Sequence, residues 1–69
     1  MTDSARLNEL IQKSGYKMKY LAGQLGLTPF GLSKKINNVT EFKASEIDIL
    51  CRLLGIKSLS EKERIFFVK

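Results

Sequence analysis

Residues 18–37, MKYLAGQLGLTPFGLSKKIN, decide how this chain folds. Two stretches with helical periodicity lie on either side of Gly26, Leu27 and Thr28. Two helices joined by so short a turn cannot lie antiparallel, so we expect them to cross steeply. Such a crossing brings the two backbones close together, and Ala22 supplies the small side chain that this contact requires.

The other positions of this stretch that shape the backbone are apolar or lack a side chain. Gly26 is expected to form the sharp turn, because glycine adopts left-handed backbone angles without a steric penalty. Leu27 is expected to fill the inside of the turn. The remaining apolar residues should anchor both helices to one core, and they are Leu21, Leu25, Leu32 and Ile36.

Further helical periodicity on both sides of this stretch predicts an all-α fold with about five short helices. The helices are expected over residues 4–14, 17–25, 28–37, 44–54 and 60–67. Thr28 should cap the third helix, with Pro29 in its first position. The positions expected to end helices in the left-handed conformation are Gly15, Gly26, Asn38 and Gly55.

The end of the chain carries an apolar cluster, Ile65, Phe66 and Phe67. Ser60 and Glu63 have the spacing of a capping box and predict a short helix leading into this cluster. Two alternatives remain open for the cluster. It covers the core between the first and fourth helices, or it forms the contact of a dimer.

The composition restricts the chemistry that this chain can perform. It has no histidine and one cysteine, Cys51, which excludes the usual zinc ligand sets, a Ser-His or Cys-His nucleophile and an intramolecular disulfide. We therefore expect no enzyme activity, cofactor, metal or small-molecule substrate, and we interpret Cys51 as a buried hydrophobe in a reducing, cytoplasmic compartment. The polar amino terminus is unlike a signal peptide, and the longest apolar run is too short to span a membrane.

The positive charge is concentrated in the middle of the chain. The net charge is +5, and residues 13–43 alone contribute six lysines against one carboxylate, Glu41, which also gives +5. The flanking segments carry −1 and +1 and are nearly neutral. This distribution indicates a polyanion as the partner, although a lysine-rich solvated surface explains it equally well.

The joint spacing of Leu21–Ala22, Leu25–Gly26–Leu27, Leu32 and Ile36 resembles the helix-turn-helix signature of the Cro and repressor family of phage and bacterial transcriptional regulators, the XRE-like proteins. The resemblance implies that residues 1–69 form a single lambda-repressor-like domain with its motif at residues 18–37. It also implies that the third helix enters the major groove of double-stranded DNA, and that two subunits bind a pseudo-palindromic operator as a homodimer. Two positions depart from the family pattern. Met18 replaces a common glutamine and is interpreted as a core residue, and Pro29–Phe30 replaces a polar start of the reading helix.

Helical geometry divides the third helix into two faces. Pro29, Leu32 and Ile36 fall on the side expected to pack. The base-reading candidates fall on the other side or at its boundary, and they are Phe30, Ser33, Lys34 and Asn37. Lys34 can reach guanine acceptors or a phosphate, Ser33 and Asn37 can donate hydrogen bonds, and the only base-specific option of Phe30 is an apolar contact such as a thymine methyl. The expected phosphate contacts are Lys17, Lys19, Thr28, Lys35 and Lys43.

Two hypotheses for the function follow. The first is a sequence-specific DNA-binding transcriptional regulator, a phage-type repressor that acts in the cytoplasm. The alternative is a modulator or anti-repressor that uses the same fold to bind another regulator protein, because Phe30 is an exposed aromatic and Met18 departs from the family. RNA is a weaker expectation, since the sequence indicates no aromatic stacking platform.

Overall fold

A computed structural model describes residues 1–68 and consists of five α-helices with no strand in that range. The helices are α1 (Ser4–Ser14), α2 (Met18–Gln24), α3 (Pro29–Ile36), α4 (Ala44–Leu54) and α5 (Leu59–Phe66). The all-α prediction is therefore confirmed. The bounds of α1 and α4 are as expected, and α2 and α3 agree with the expected segments once the cap residues at their ends are set aside.

Side-chain caps fix where three of the helices begin. The side chains of Asp3, Thr28 and Ser58 accept hydrogen bonds from the backbone N–H groups of Arg6, Gly31 and Glu61, each at 3.0 Å. The expected capping box at Ser60 and Glu63 is wrong. The cap of α5 lies two residues earlier, at Ser58, and Ser60 lies inside the helix.

Four left-handed residues end helices or follow them, as expected. Gly15, Gly26 and Gly55 have φ values of 77°, 70° and 73°, and Asn38 has a φ of 63°. Asn38 also has a role that its sequence position did not indicate. Its side chain accepts from the backbone N–H of Thr2 at 2.7 Å and donates to the carbonyl of Thr2 at 2.9 Å, which fixes the amino-terminal residues against the end of α3.

The core is formed by apolar residues from all five helices and by Leu25 and Ile56, which follow α2 and α4. Met18 packs against this core, as predicted, and Cys51 is buried within it. Burial raises the pKa of the Cys51 thiol and keeps it protonated and unreactive at neutral pH. The prediction that Pro29 packs against the core is wrong, because Pro29 is exposed. It stands at the first position of α3, ahead of the turns that face the core.

The apolar cluster near the end of the chain divides between core and surface. Ile65 and Phe66 are buried, and the ring of Phe66 meets that of Phe42 edge to face, with the centroids 5.5 Å apart. These two residues therefore belong to the core, where α1 packs against both α4 and α5. Phe67 lies outside it and is 56% exposed.

Candidate functional site

The pair α2 and α3 has the most extensive contact between any two helices of the protein. Ala22 is fully buried, and its carbonyl accepts a hydrogen bond from the backbone N–H of Leu27 at 2.8 Å. Gly26 supplies the left-handed residue of the turn, and Leu27 is half-buried against the core. Gly26 therefore has the left-handed conformation that the sequence predicted, and Ala22 and Leu27 both pack in or against the core.

Packing on one side of α3 fixes which of its side chains face outward. Leu32 and Ile36 are buried in the core. Phe30 is 73% exposed, Asn37 is exposed, and Ser33 and Lys34 are half-buried. The division of α3 into a packed face and an open face is as predicted for these residues. We refer below to Phe30, Ser33, Lys34 and Asn37 as the open face of α3.

The side chains of the open face contact one another in two pairs, each separated by one helical turn. The Nζ of Lys34 lies 5.3 Å from the ring centroid of Phe30, in the geometry of a cation–π contact. The Nδ2 of Asn37 donates to the carbonyl of Ser33 at 3.0 Å and lies 3.3 Å from its hydroxyl oxygen. These contacts restrict the side-chain rotamers, so part of the entropy lost on binding a ligand is already lost in the free protein.

The candidate phosphate contacts do not share one environment. Lys17, Lys19 and Lys43 are exposed, and Lys17 and Lys43 immediately precede α2 and α4. The side-chain oxygen of Thr28 accepts the capping hydrogen bond of α3, so its hydroxyl group has a structural role while its surface stays exposed.

Lys35 is a correction to this set. Its Nζ lies 2.5 Å from the Oε1 of Glu46, and the two side chains are only 11% and 8% exposed. The same oxygen of Glu46 accepts from the backbone N–H of Lys43 at 2.7 Å. A phosphate could reach Lys35 only by breaking a buried ion pair, so Lys35 joins α3 to α4 and is not a phosphate contact.

The carboxyl group of Glu46 is held in its charged form by these two neighbours. Burial by itself would raise the pKa of Glu46, but the hydrogen bonds from Lys35 and from the backbone of Lys43, together with both positive charges, outweigh it and lower the pKa below its ordinary value of 4.5. The carboxyl group of Glu46 is therefore ionised at neutral pH.

Three lysines of the α2 and α3 region have no carboxylate partner in the part of the chain that the structure describes. Residues 10–40 contain no aspartate or glutamate. Within residues 1–68, no carboxylate oxygen lies within 4 Å of Lys17, Lys19 or Lys34, whereas Lys13 lies 3.7 Å from Glu9. Among the described residues, the positive potential of these three lysines is therefore not reduced by a bound carboxylate.

An aromatic pair at the edge of α2 was missed by the sequence reasoning. The rings of Tyr16 and Tyr20 stack with centroids 5.1 Å apart and an interplanar angle of 22°, and the residues are 39% and 46% exposed. Lys17 and Lys19 line the same open depression. The sequence interpretation did not anticipate this exposed aromatic pair. The four-residue spacing of the two tyrosines at the start of a helix could have predicted this contact, because residues four apart are neighbours on a helix surface.

Comparison with protein-family models, with curated proteins and with solved structures finds no match to this chain. No helix within the described residues has the length and apolar character needed to cross a membrane. Over the same range, no three Cys, Asp or Glu side chains come together in a way that could hold a metal ion.

Proposed function

We propose that this protein is a sequence-specific DNA-binding transcriptional regulator, a repressor of the phage type, in which α2 and α3 act as a helix-turn-helix and α3 enters the major groove. The observation that carries the proposal is the open face of α3. It presents two polar side chains, one lysine and one aromatic ring, and Lys17 and Lys19 at the beginning of α2 have no carboxylate partner within residues 1–68. A regulator of this kind would act in the cytoplasm on bacterial or phage DNA.

The direct test is a selection from random DNA duplexes, followed by affinity measurements on the enriched sequence at several salt concentrations. If each of two subunits neutralises three phosphates, the logarithm of affinity should fall with the logarithm of salt concentration with a slope of about −5. A slope near zero, or no enrichment over the starting pool, would count against DNA as the partner.

Lys34 is the open-face residue whose substitution best separates recognition of a base from contact with the DNA phosphate backbone. Lys34→Ala should weaken binding to the selected duplex by about 1–3 kcal/mol if Lys34 reads a guanine, with a smaller loss on unrelated duplexes. An equal loss on all sequences would assign it to a phosphate instead. Lys57→Ala removes an exposed charge outside α2 and α3 and serves as the control.

A homodimer forms part of this proposal, with two copies of α3 spaced by one duplex turn of about 34 Å. Ile65 and Phe66 are buried in the subunit and are not available for the contact. Exposed apolar side chains outside the core include Val39, Phe67 and Val68. Sedimentation equilibrium with and without the selected duplex should give two subunits per duplex, and one subunit per duplex would contradict the dimer.

A second candidate function is a modulator that binds another regulator protein. It is favoured by the exposed aromatic side chains, Phe30 on α3 and the pair Tyr16 and Tyr20 on the edge of α2. The discriminating variant is Phe30→Ala, assayed against a purified candidate regulator and on immobilised DNA. Loss of the protein complex with unchanged retention on DNA would favour the modulator, and the opposite pattern would favour the DNA-binding function.

A further inference from the structure

We infer that the DNA site bound by α3 contains a pyrimidine 5-methyl group in contact with Phe30, and that this methyl group contributes to sequence recognition. The inference rests on the proposed function and specifies the chemistry that the open face selects. Thymine and 5-methylcytosine both carry this group, at the same place in the major groove.

The chemistry of the Phe30 side chain limits what it can recognise. It has no hydrogen-bonding atom, and at 73% exposure it leaves most of its apolar surface in water. Base edges in the major groove present donors and acceptors, and the pyrimidine 5-methyl group is the apolar feature among them. Contact with that methyl would remove apolar surface of both partners from water, whereas contact with any other base edge would leave polar groups unpaired.

The position of Phe30 in α3 agrees with this role. It is the second residue of the helix, next to the cap Thr28 and Pro29. In helix-turn-helix proteins the amino-terminal residues of the reading helix approach the base edges most closely. Leu32 and Ile36 hold the opposite face of α3 in the core, so the ring cannot turn inward without disrupting the fold.

The position of Lys34 determines how far its own hydrogen-bond acceptor lies from the methyl group. Its Nζ lies over one face of the Phe30 ring, 5.3 Å from the centroid, which leaves the ring edge and the other face for a ligand. Base pairs are stacked at about 3.4 Å, so this distance corresponds to one or two steps along the duplex. We therefore expect the acceptor that Lys34 contacts to lie within two base pairs of the methylated pyrimidine.

The test uses pairs of duplexes that differ by one methyl group. Starting from the selected sequence, each thymine is replaced in turn by deoxyuridine, and the dissociation constant is measured at fixed salt. Loss of the contacted methyl should weaken binding about three- to fourfold. At that position, a C·G pair and a 5-methylcytosine·G pair are then compared, and the methylated pair should bind more tightly by a similar factor.

Variants of the protein separate contact with Phe30 from effects of methylation on DNA shape. Phe30→Ala should bind thymine and deoxyuridine duplexes equally, since a shape effect would persist in this variant. Phe30→Leu keeps an apolar side chain and should retain part of the preference. Leu59→Ala removes a side chain of similar exposure, 68%, from the start of α5. This control variant should keep the whole preference for the duplex that carries the methyl group.

The outcomes distinguish this inference from the function on which it rests. Sequence-specific binding with no methyl-sensitive position, or with a methyl preference unchanged in Phe30→Ala, overturns the inference and leaves the DNA-binding function standing. Absence of any sequence preference in the wild-type protein overturns both. A preference that is present in the wild type and absent in Phe30→Ala supports both.

Discussion

At the scale of single residues, the buried ion pair of Lys35 and Glu46 predicts a large loss of stability when one partner is neutralised. Glu46→Gln keeps an oxygen that can accept from the backbone of Lys43, but it leaves the ammonium group of Lys35 without a counter-charge at 11% exposure. We expect a loss of about 3 kcal/mol in the free energy of unfolding, measured by urea denaturation. Asp48→Asn breaks an exposed pair with Arg52 and is the control, and it should leave the denaturation midpoint almost unchanged. Equal effects of the two substitutions would contradict a buried role for Glu46.

The same residue predicts how stability depends on pH. The pKa of Glu46 is lower in the folded protein than its ordinary value of 4.5, so the unfolded chain binds a proton there more readily. The stabilisation is therefore complete above pH 4.5 and is lost as the pH falls through the lowered, folded-state value. Melting temperatures measured between pH 3 and 6 should fall more steeply for the wild type than for Glu46→Gln, and parallel curves would refute the assignment.

At the scale of elements, two glycines near the end of α2 should respond oppositely to the same substitution. A Cβ added at Gly23 or Gly26 meets no atom within 4 Å, so neither substitution creates a clash. Gly26 has a φ of 70°, and Gly26→Ala should destabilise the protein by about 1–2 kcal/mol through backbone strain. Gly23 lies within α2, and Gly23→Ala should stabilise it by about 0.5–1 kcal/mol. Chemical denaturation of both variants measures the contrast, and destabilisation by Gly23→Ala would show that α2 needs flexibility there.

At the scale of the whole molecule, the position of the charges matters more than their sum. Lys17→Gln with Lys19→Gln removes two positive charges from the α2 edge, and Lys57→Gln with Lys62→Gln removes two from the region of α4 and α5. The slope of log affinity for the selected duplex against log salt concentration measures the number of phosphate contacts. If the α2 edge contacts phosphates, the first variant should reduce the magnitude of this slope by about one for each lysine per subunit. The second should leave the slope unchanged. Equal changes would indicate that only net charge attracts the DNA.

Local periodicity was sufficient to predict the helices and the residues of the α2–α3 turn, because both depend on neighbours within about four positions. The start of α5 shows where local rules become ambiguous. Both Ser58–Glu61 and Ser60–Glu63 have the spacing of a capping box, and the side chain that caps α5 is that of Ser58. Nothing in the spacing alone distinguishes the two.

The sequence predicted the exposure of candidate site residues where the packing of α3 determines it. It did not predict the contacts that depend on a residue far away in the chain. Phe30 and Asn37 are exposed because Leu32 and Ile36 are buried, and this follows from the helical repeat. Lys35 was misassigned because its partner, Glu46, lies eleven residues away in another helix. Tertiary ion pairs of this kind leave no mark on the periodicity of either helix.

The stacked tyrosines also make one edge of the protein visible to spectroscopy. Tyr16 and Tyr20 are the only tyrosines in a chain without tryptophan, so its ultraviolet emission comes almost entirely from the beginning of α2. A ligand that settles on that edge should alter the intensity of this emission, and one that occupies only α3 should leave it nearly constant. The unlabelled protein can therefore report which of its two aromatic surfaces a partner has reached.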